Sequence, residues 1–160
     1  MAAYSNITQV WSLERTLDKN ENKQTMTLQN ARPTPIRTEG TSTFFDAAKN
    51  GELLLQHCQE CHQFNLTGHR FCPYCFSMTE WCPSEGLGRI SSFSIVSESS
   101  HAGFKDLVPY TIAEVTLNEG PSLNLRVVGV KPENIFIGQQ VKVDFLDDDV
   151  GEPTPVWRSI

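Results

Sequence analysis

The sequence predicts a mostly β protein: a short helix, a metal-binding ribbon, then a small closed barrel of five strands. Three observations carry this prediction. Four of the five cysteines fall in two C-x2-C pairs separated by ten residues, at Cys58, Cys61, Cys72 and Cys75. Beyond the ribbon the apolar residues recur with a period of two, the strand period. Five such runs fall within about 70 residues, each bounded by turn residues. The predicted organisation is an N-terminal arm and linker (1–41), a helix plus ribbon (42–84) and a barrel (85–160).

The composition excludes several classes. The chain has 160 residues, is 39% hydrophobic and carries a formal charge of -6, so no basic excess favours nucleic acid or an anionic membrane surface. The longest aliphatic run is Leu53–Leu55, far too short to span a bilayer. The start, "MAAYSNITQVWSLERTLDKN", lacks the basic start and apolar stretch of a signal peptide. A cytoplasmic location is expected, and in a reducing compartment paired cysteines bind metal more often than they form disulfides.

The elements follow in order. Val10, Trp11, Leu13 and Leu17 form a weak amphipathic patch within residues 1–30, and the polar "DKNENKQT" after it reads as loose chain. "ARPTPIRTEGTS" is a linker kept extended by Pro33 and Pro35. "TFFDAAKNG" is a short helix: Thr43 and Asp46 have capping-box spacing, Phe44, Phe45 and Ala48 share an apolar face, and Gly51 stops it. "ELLLQHC" is a strand leading into the first cysteine pair.

Within each C-x2-C pair the two thiolates can turn toward one point while backbone amides of the turn donate to the sulfurs. Two such turns give a rubredoxin-like tetrahedral site of four sulfurs, suited to zinc first and iron second. A closed four-thiolate zinc has no open position, so its role is structural. His62 and His69 lie in the ribbon and read as surface residues. Cys82, the fifth thiol, reads as a small apolar filler without an activating partner.

Downstream, "GRISSFSIVSES" sets Phe93 and Ile95 against Ser92 and Ser94. "PYTIAEVTL" alternates at Ala113, Val115 and Leu117, and "SLNLRVVGV" at Leu123, Leu125 and Val127. "VKVDFL" sets Val141, Val143 and Phe145 against Lys142 and Asp144, and "TPVWRSI" supplies the last strand at Val156 and Trp157. Five strands are too few for an immunoglobulin-type sandwich and suit the five-stranded OB barrel. The loop "SHAGFKDLVPY", between the first two barrel strands, is the expected recognition loop, with Phe104 either plugging the barrel or anchoring a partner.

At this point the residues carry a resemblance. The stretch from "FFDAAKNGELLLQHCQEC" through "FCPYC" to "GLGRISSFSIV", then "GFKDLVPYTIAEVTL", "LNLRVVGV", "IGQQVKVDF" and "TPVWR", resembles the family of acyl-CoA-associated zinc-ribbon plus OB-fold proteins. That family is catalogued as domain of unknown function thirty-five. The resemblance spans residues 32–160. It implies an accessory subunit of thiolase-like enzymes, hydroxymethylglutaryl-CoA synthases or hotdog-fold enoyl-CoA hydratases. Such a subunit bridges partners or helps complete the acyl-CoA path, with catalytic residues on the partner. The family often places Gly or another small residue after each cysteine pair; here His62 and Phe76 stand there.

Three function classes remain. The first is a non-catalytic accessory subunit of a thiolase-like or enoyl-CoA-hydratase-like enzyme, with acyl-CoA as a further ligand. The second is a single-stranded nucleic-acid binder, a frequent use of ribbons and OB barrels. The net charge and the Asp147–Asp149 run oppose it, although CoA is anionic too; Arg70, Arg89, Lys105 and Arg126 are candidates for a basic patch that would serve either reading. The third is a stand-alone enzyme using Cys82 or His101, for which no base, orienting group or open metal is visible. Partner contact is expected on the aromatic helix at Phe44 and Phe45, on the ribbon, and on the loop around Phe104.

Overall fold

The computed structural model describes residues 32–66, 68–147 and 151–160. The patch at Val10, Trp11, Leu13 and Leu17 lies outside these residues, as do Asp148 and Asp149. The fold is the one expected: a short helix, a three-stranded ribbon and a closed five-stranded barrel.

Helix α1 (Ser42–Ala48) starts two residues earlier than a capping box on Thr43 and Asp46 requires. Thr43 therefore lies inside the helix and caps nothing. Thr41 takes the cap position without a side-chain bond to the helix; its hydroxyl instead accepts from the Thr38 amide at 3.0 Å. Asp46 pairs with Arg37 at 2.7 Å. The other end behaves as predicted. Gly51 adopts φ +75°, Glu52 N–H donates to the Ala47 carbonyl at 3.1 Å and Gly51 N–H to that of Ala48 at 3.0 Å. This is a Schellman closure, which needs a left-handed residue where Gly stands.

The ribbon sheet contains β1 (Leu53–Cys58), β2 (Phe64–Asn65) and β3 (Thr79–Ser84), in the order β2-β1-β3. As the middle strand, β1 is buried along nearly its whole length. Strand β3 escapes the alternation test because "TEWCPS" contains Pro83. It pairs only with β1, and an edge strand tolerates the missing donor of a proline.

The barrel consists of β4 (Leu87–Val96), β5 (Tyr110–Leu117), β6 (Ser122–Val128), β7 (Gln140–Leu146) and β8 (Thr154–Ser159), in the order β4-β5-β6-β8-β7. Pairing of β4 with β7, from Leu87↔Lys142 to Arg89↔Gln140, closes it. All pairings are antiparallel except β6 with β8. Buried and less buried residues alternate along β5 as the sequence predicts, with Thr111, Ala113, Val115 and Leu117 inside. In β4 the register shifts between Ile90 and Ser92. The extra residue lets Ile90 join the buried core with Phe93, three positions later, packed against it.

One core serves both parts. Leu53 and Leu55 of β1 belong to the same buried cluster as Ile90, Ala113, Val115, Leu117, Val141 and Trp157 of the barrel. The alternation of β1 thus docks the ribbon onto the barrel. At the joint, Glu119 of the β5–β6 turn accepts from Ser84 Oγ at 2.5 Å and from the Glu85 amide at 2.9 Å. Gly86, at φ +67°, passes so close to β7 that a Cβ would lie 2.3 Å from Val143 Cγ1. Among the described residues no helix is long and apolar enough to cross a membrane.

Candidate metal centre and surrounding surfaces

The two cysteine pairs form matching turns. His62 N–H donates to the Cys58 carbonyl at 3.0 Å and Cys58 N–H to that of Gln63 at 3.0 Å. Phe76 N–H donates to the Cys72 carbonyl at 2.9 Å and Cys72 N–H to that of Ser77 at 2.8 Å. Both loops need a left-handed residue directly after the second cysteine. His62 (φ 57°) and Phe76 (φ 62°) supply it, at the positions where glycine would be free of steric cost.

These turns bring Cys58, Cys61, Cys72 and Cys75 together, with all four Sγ atoms within 4.8 Å of one another. Cys58 Sγ lies 3.4 Å from Cys75 Sγ and Cys61 Sγ 3.5 Å from Cys72 Sγ. Disulfides would bring sulfurs to about 2.0 Å, whereas zinc–sulfur bonds of about 2.3 Å at tetrahedral angles put sulfurs roughly 3.8 Å apart. The quartet therefore fits a single tetrahedral ion. The surroundings favour the thiolate at Cys75 and at Cys72. The Ser77 amide, then its hydroxyl, lowers the Cys75 thiol to about 6. Burial opposes ionisation of Cys72, but the amides of Cys75 and Tyr74 outweigh it and hold this thiol low. At Cys61 the Gln63 amide favours the thiolate, yet burial and the adjoining sulfurs push the group up to about 12. A bound cation would take the place of that retained proton. Asn65, buried, directs Nδ2 toward Cys72 Sγ at 3.9 Å.

The other candidates take structural places. Cys82 pairs across from Leu55 in the ribbon sheet and is partly exposed. His101 Nδ1 accepts from the Gly103 amide at 3.1 Å, capping the 3₁₀ turn Ala102–Leu107. His62 stacks on His57, ring centroids 5.8 Å apart. The His69 carbonyl accepts from Thr79 Oγ1. Arg70, Arg89, Lys105 and Arg126 stand on four different elements: the ribbon, β4, the 3₁₀ turn and β6. Arg89 donates to the Gly138 carbonyl at 3.0 Å.

Two of the three expected contact aromatics are engaged within the chain. Phe44 packs against the shared core, and Phe45 lies beneath the Arg37 guanidinium, 5.5 Å from ring centroid to Cζ. Phe104 is half-buried and lines an open apolar groove of about 380 Å³ with Leu107, Tyr110, Ile112 and Pro155. The sequence reading named the ribbon as a contact region without its residues. Phe71, Tyr74, Phe76 and Met78, all around the second cysteine turn, are exposed. The signal available was the stretch 71–78, which has three aromatics and a methionine and no Asp, Glu, Lys or Arg.

Known proteins share this architecture. A family model described as the ChsH2 C-terminal OB-fold domain matches residues 81–146. A probable enoyl-CoA hydratase alpha subunit of Thermomonospora curvata is 32% identical over 153 residues, 94% of this chain and 47% of that protein. The chain thus spans about half the length of that relative. The match also leaves only about ten residues uncovered, so it reaches into the first 31, beyond the resemblance visible in the sequence. A DUF35 domain-containing scaffold protein of Methanothermobacter thermautotrophicus is 30% identical over 112 residues, 69% of this chain and 84% of that protein. The solved structure of the Ltp2-ChsH2(DUF35) aldolase matches with a TM-score of 0.69 and 31% identity, over 78% of this chain and 98% of that one.

Proposed function

Because the chain belongs to the DUF35 family, we propose that it is a non-catalytic accessory subunit of an acyl-CoA-processing enzyme of the hydratase, aldolase or thiolase-like class. The observation that carries this reading is similarity at 30–32% identity to proteins named as a hydratase subunit and as a scaffold, joined by a structural match to a DUF35 chain of an aldolase. The site chemistry supports it. The cysteine quartet has the donor set of a closed structural ion, and His101 and Cys82 have no acid–base partner among the hydrogen bonds described for them. No observation favours the nucleic-acid reading: none of the relatives named above carries a nucleic-acid role in its name.

Zinc is the proposed ion, held by Cys58, Cys61, Cys72 and Cys75. It would supply cross-linking of two turns that bury little core of their own. Acyl-CoA contact belongs on the barrel face around Phe104, where the apolar groove lies. The test is affinity purification of the tagged chain from its own organism, with mass spectrometry of the captured proteins and an acyl-CoA turnover assay on the chain alone. An acyl-CoA hydratase, aldolase or thiolase-like enzyme in stoichiometric amount, with no turnover by the chain alone, is the expected result. Turnover by the purified chain itself would refute it.

A further inference from the structure

The two cysteine turns share one backbone design but differ in what they show to solvent. In the first, the left-handed residue His62 rests on His57 of β1, and its neighbours Gln59, Glu60 and Gln63 are polar. In the second, the left-handed residue is Phe76, and its side chain is 79% exposed. Around it stand Phe71 at 57%, Tyr74 at 70% and Met78 at 51% exposure. A bulky aromatic in left-handed backbone is unfavourable, and glycine would fit there without strain. Neither the turn nor the core accounts for Phe76. Backbone strain retained without a local reason points to a function outside the chain.

We propose that the second cysteine turn, with Phe71, Tyr74, Phe76 and Met78, is the face on which the acyl-CoA enzyme subunit docks. This rests on the accessory-subunit reading above and assigns its contact surface. The composition is that of an interface centre: three aromatics and a methionine, with no Asp, Glu, Lys or Arg across residues 71–78. The metal turn holds these side chains in place before binding, so little order is lost on association. Continuity with a known assembly supports the choice of partner. The Ltp2-ChsH2(DUF35) aldolase match covers 78% of this chain, about 125 residues. That is more than the barrel's own span from Leu87 to Ser159, so the DUF35 chain of that aldolase has a counterpart of the ribbon.

The discriminating variant is Phe76→Gly. It removes the exposed ring and also the left-handed strain, so it folds at least as well as wild type. Tyr74→Ser is the second variant, and Ile137→Ser, at a residue 67% exposed on the barrel, is the control. The acyl-CoA enzyme subunit identified by co-purification is purified and titrated against each full-length chain by biolayer interferometry. Phe76→Gly and Tyr74→Ser are each expected to weaken binding at least about tenfold, with unchanged metal content and melting temperature no lower than wild type for Phe76→Gly, while Ile137→Ser binds as wild type does. If wild type captures the enzyme and both ribbon variants bind equally well, this face is wrong and the accessory reading stands. If wild type captures no acyl-CoA enzyme, both are overturned.

Discussion

Phe76 and His62 show what single residues decide here. Each occupies a left-handed position after its cysteine pair; the C-x2-C spacing made the convergence of the sulfurs legible, whereas the left-handed position was signalled only by the small residues the resembling family places there. Phe76→Gly should leave stability unchanged or raise it by up to about 1 kcal/mol, since relief of strain is offset by the freedom glycine gains when unfolded; thermal denaturation measures this. At the metal quartet, Cys72→Ser should abolish stoichiometric zinc in native mass spectrometry and lower the melting temperature by on the order of 10 °C. Cys82→Ala should leave the metal content untouched. Arg37 makes a different kind of contact. Its guanidinium holds Glu152 through two hydrogen bonds, at 2.6 and 2.9 Å, and Asp46 through a third. Arg37 thereby keeps both carboxyls below their ordinary range. Their folded pKa values lie below the unfolded ones, so this stabilisation is full above the unfolded values and fades as pH falls through the folded ones. Arg37→Met should therefore lower the melting temperature at pH 7 and flatten its decline below about pH 4.5. None of this was legible beforehand, because Arg37 and Glu152 lie 115 residues apart.

At the scale of the element, alternation read well wherever one face of a strand is buried and the ladder is regular. Ala113, Val115 and Leu117 of β5 are fully or almost fully buried as expected. The pattern failed in β3, where an edge position admits Pro83 and relaxes the demand for alternation. It was incomplete in β4, where the bulge adds a residue that no periodicity test detects. Strand β8 departs in another way: Val156 and Trp157 are consecutive and both fully buried, so the strand is covered on both faces. Trp157→Ala should cost about 3–5 kcal/mol in chemical denaturation. Thr111, on the inner face of β5, buries a hydroxyl without a hydrogen-bond partner. Thr111→Val should then stabilise the barrel by about 1 kcal/mol, measured by the same method.

For the molecule as a whole, the ribbon and barrel were legible as two parts, but their shared core was not. That core depends on Leu53 and Leu55 facing the barrel, and a sequence shows that they alternate without showing what they meet. Because β1 contributes to the barrel's own cluster, zinc removal should lower the melting point of one cooperative transition, not uncouple a separate ribbon. Differential scanning calorimetry with and without a chelator reads this directly. The same organisation suits an accessory role: the closed barrel is the base, the second cysteine turn exposes Phe71, Tyr74, Phe76 and Met78, and the polar groups described above assemble no catalytic set. The central claim is tested most directly by reconstitution, in which acyl-CoA turnover is measured for this chain, for the partner enzyme and for the two combined. The account predicts no turnover by this chain and an increase in the partner's kcat/KM when the complex forms; turnover by this chain alone, or a partner wholly indifferent to it, would contradict the account.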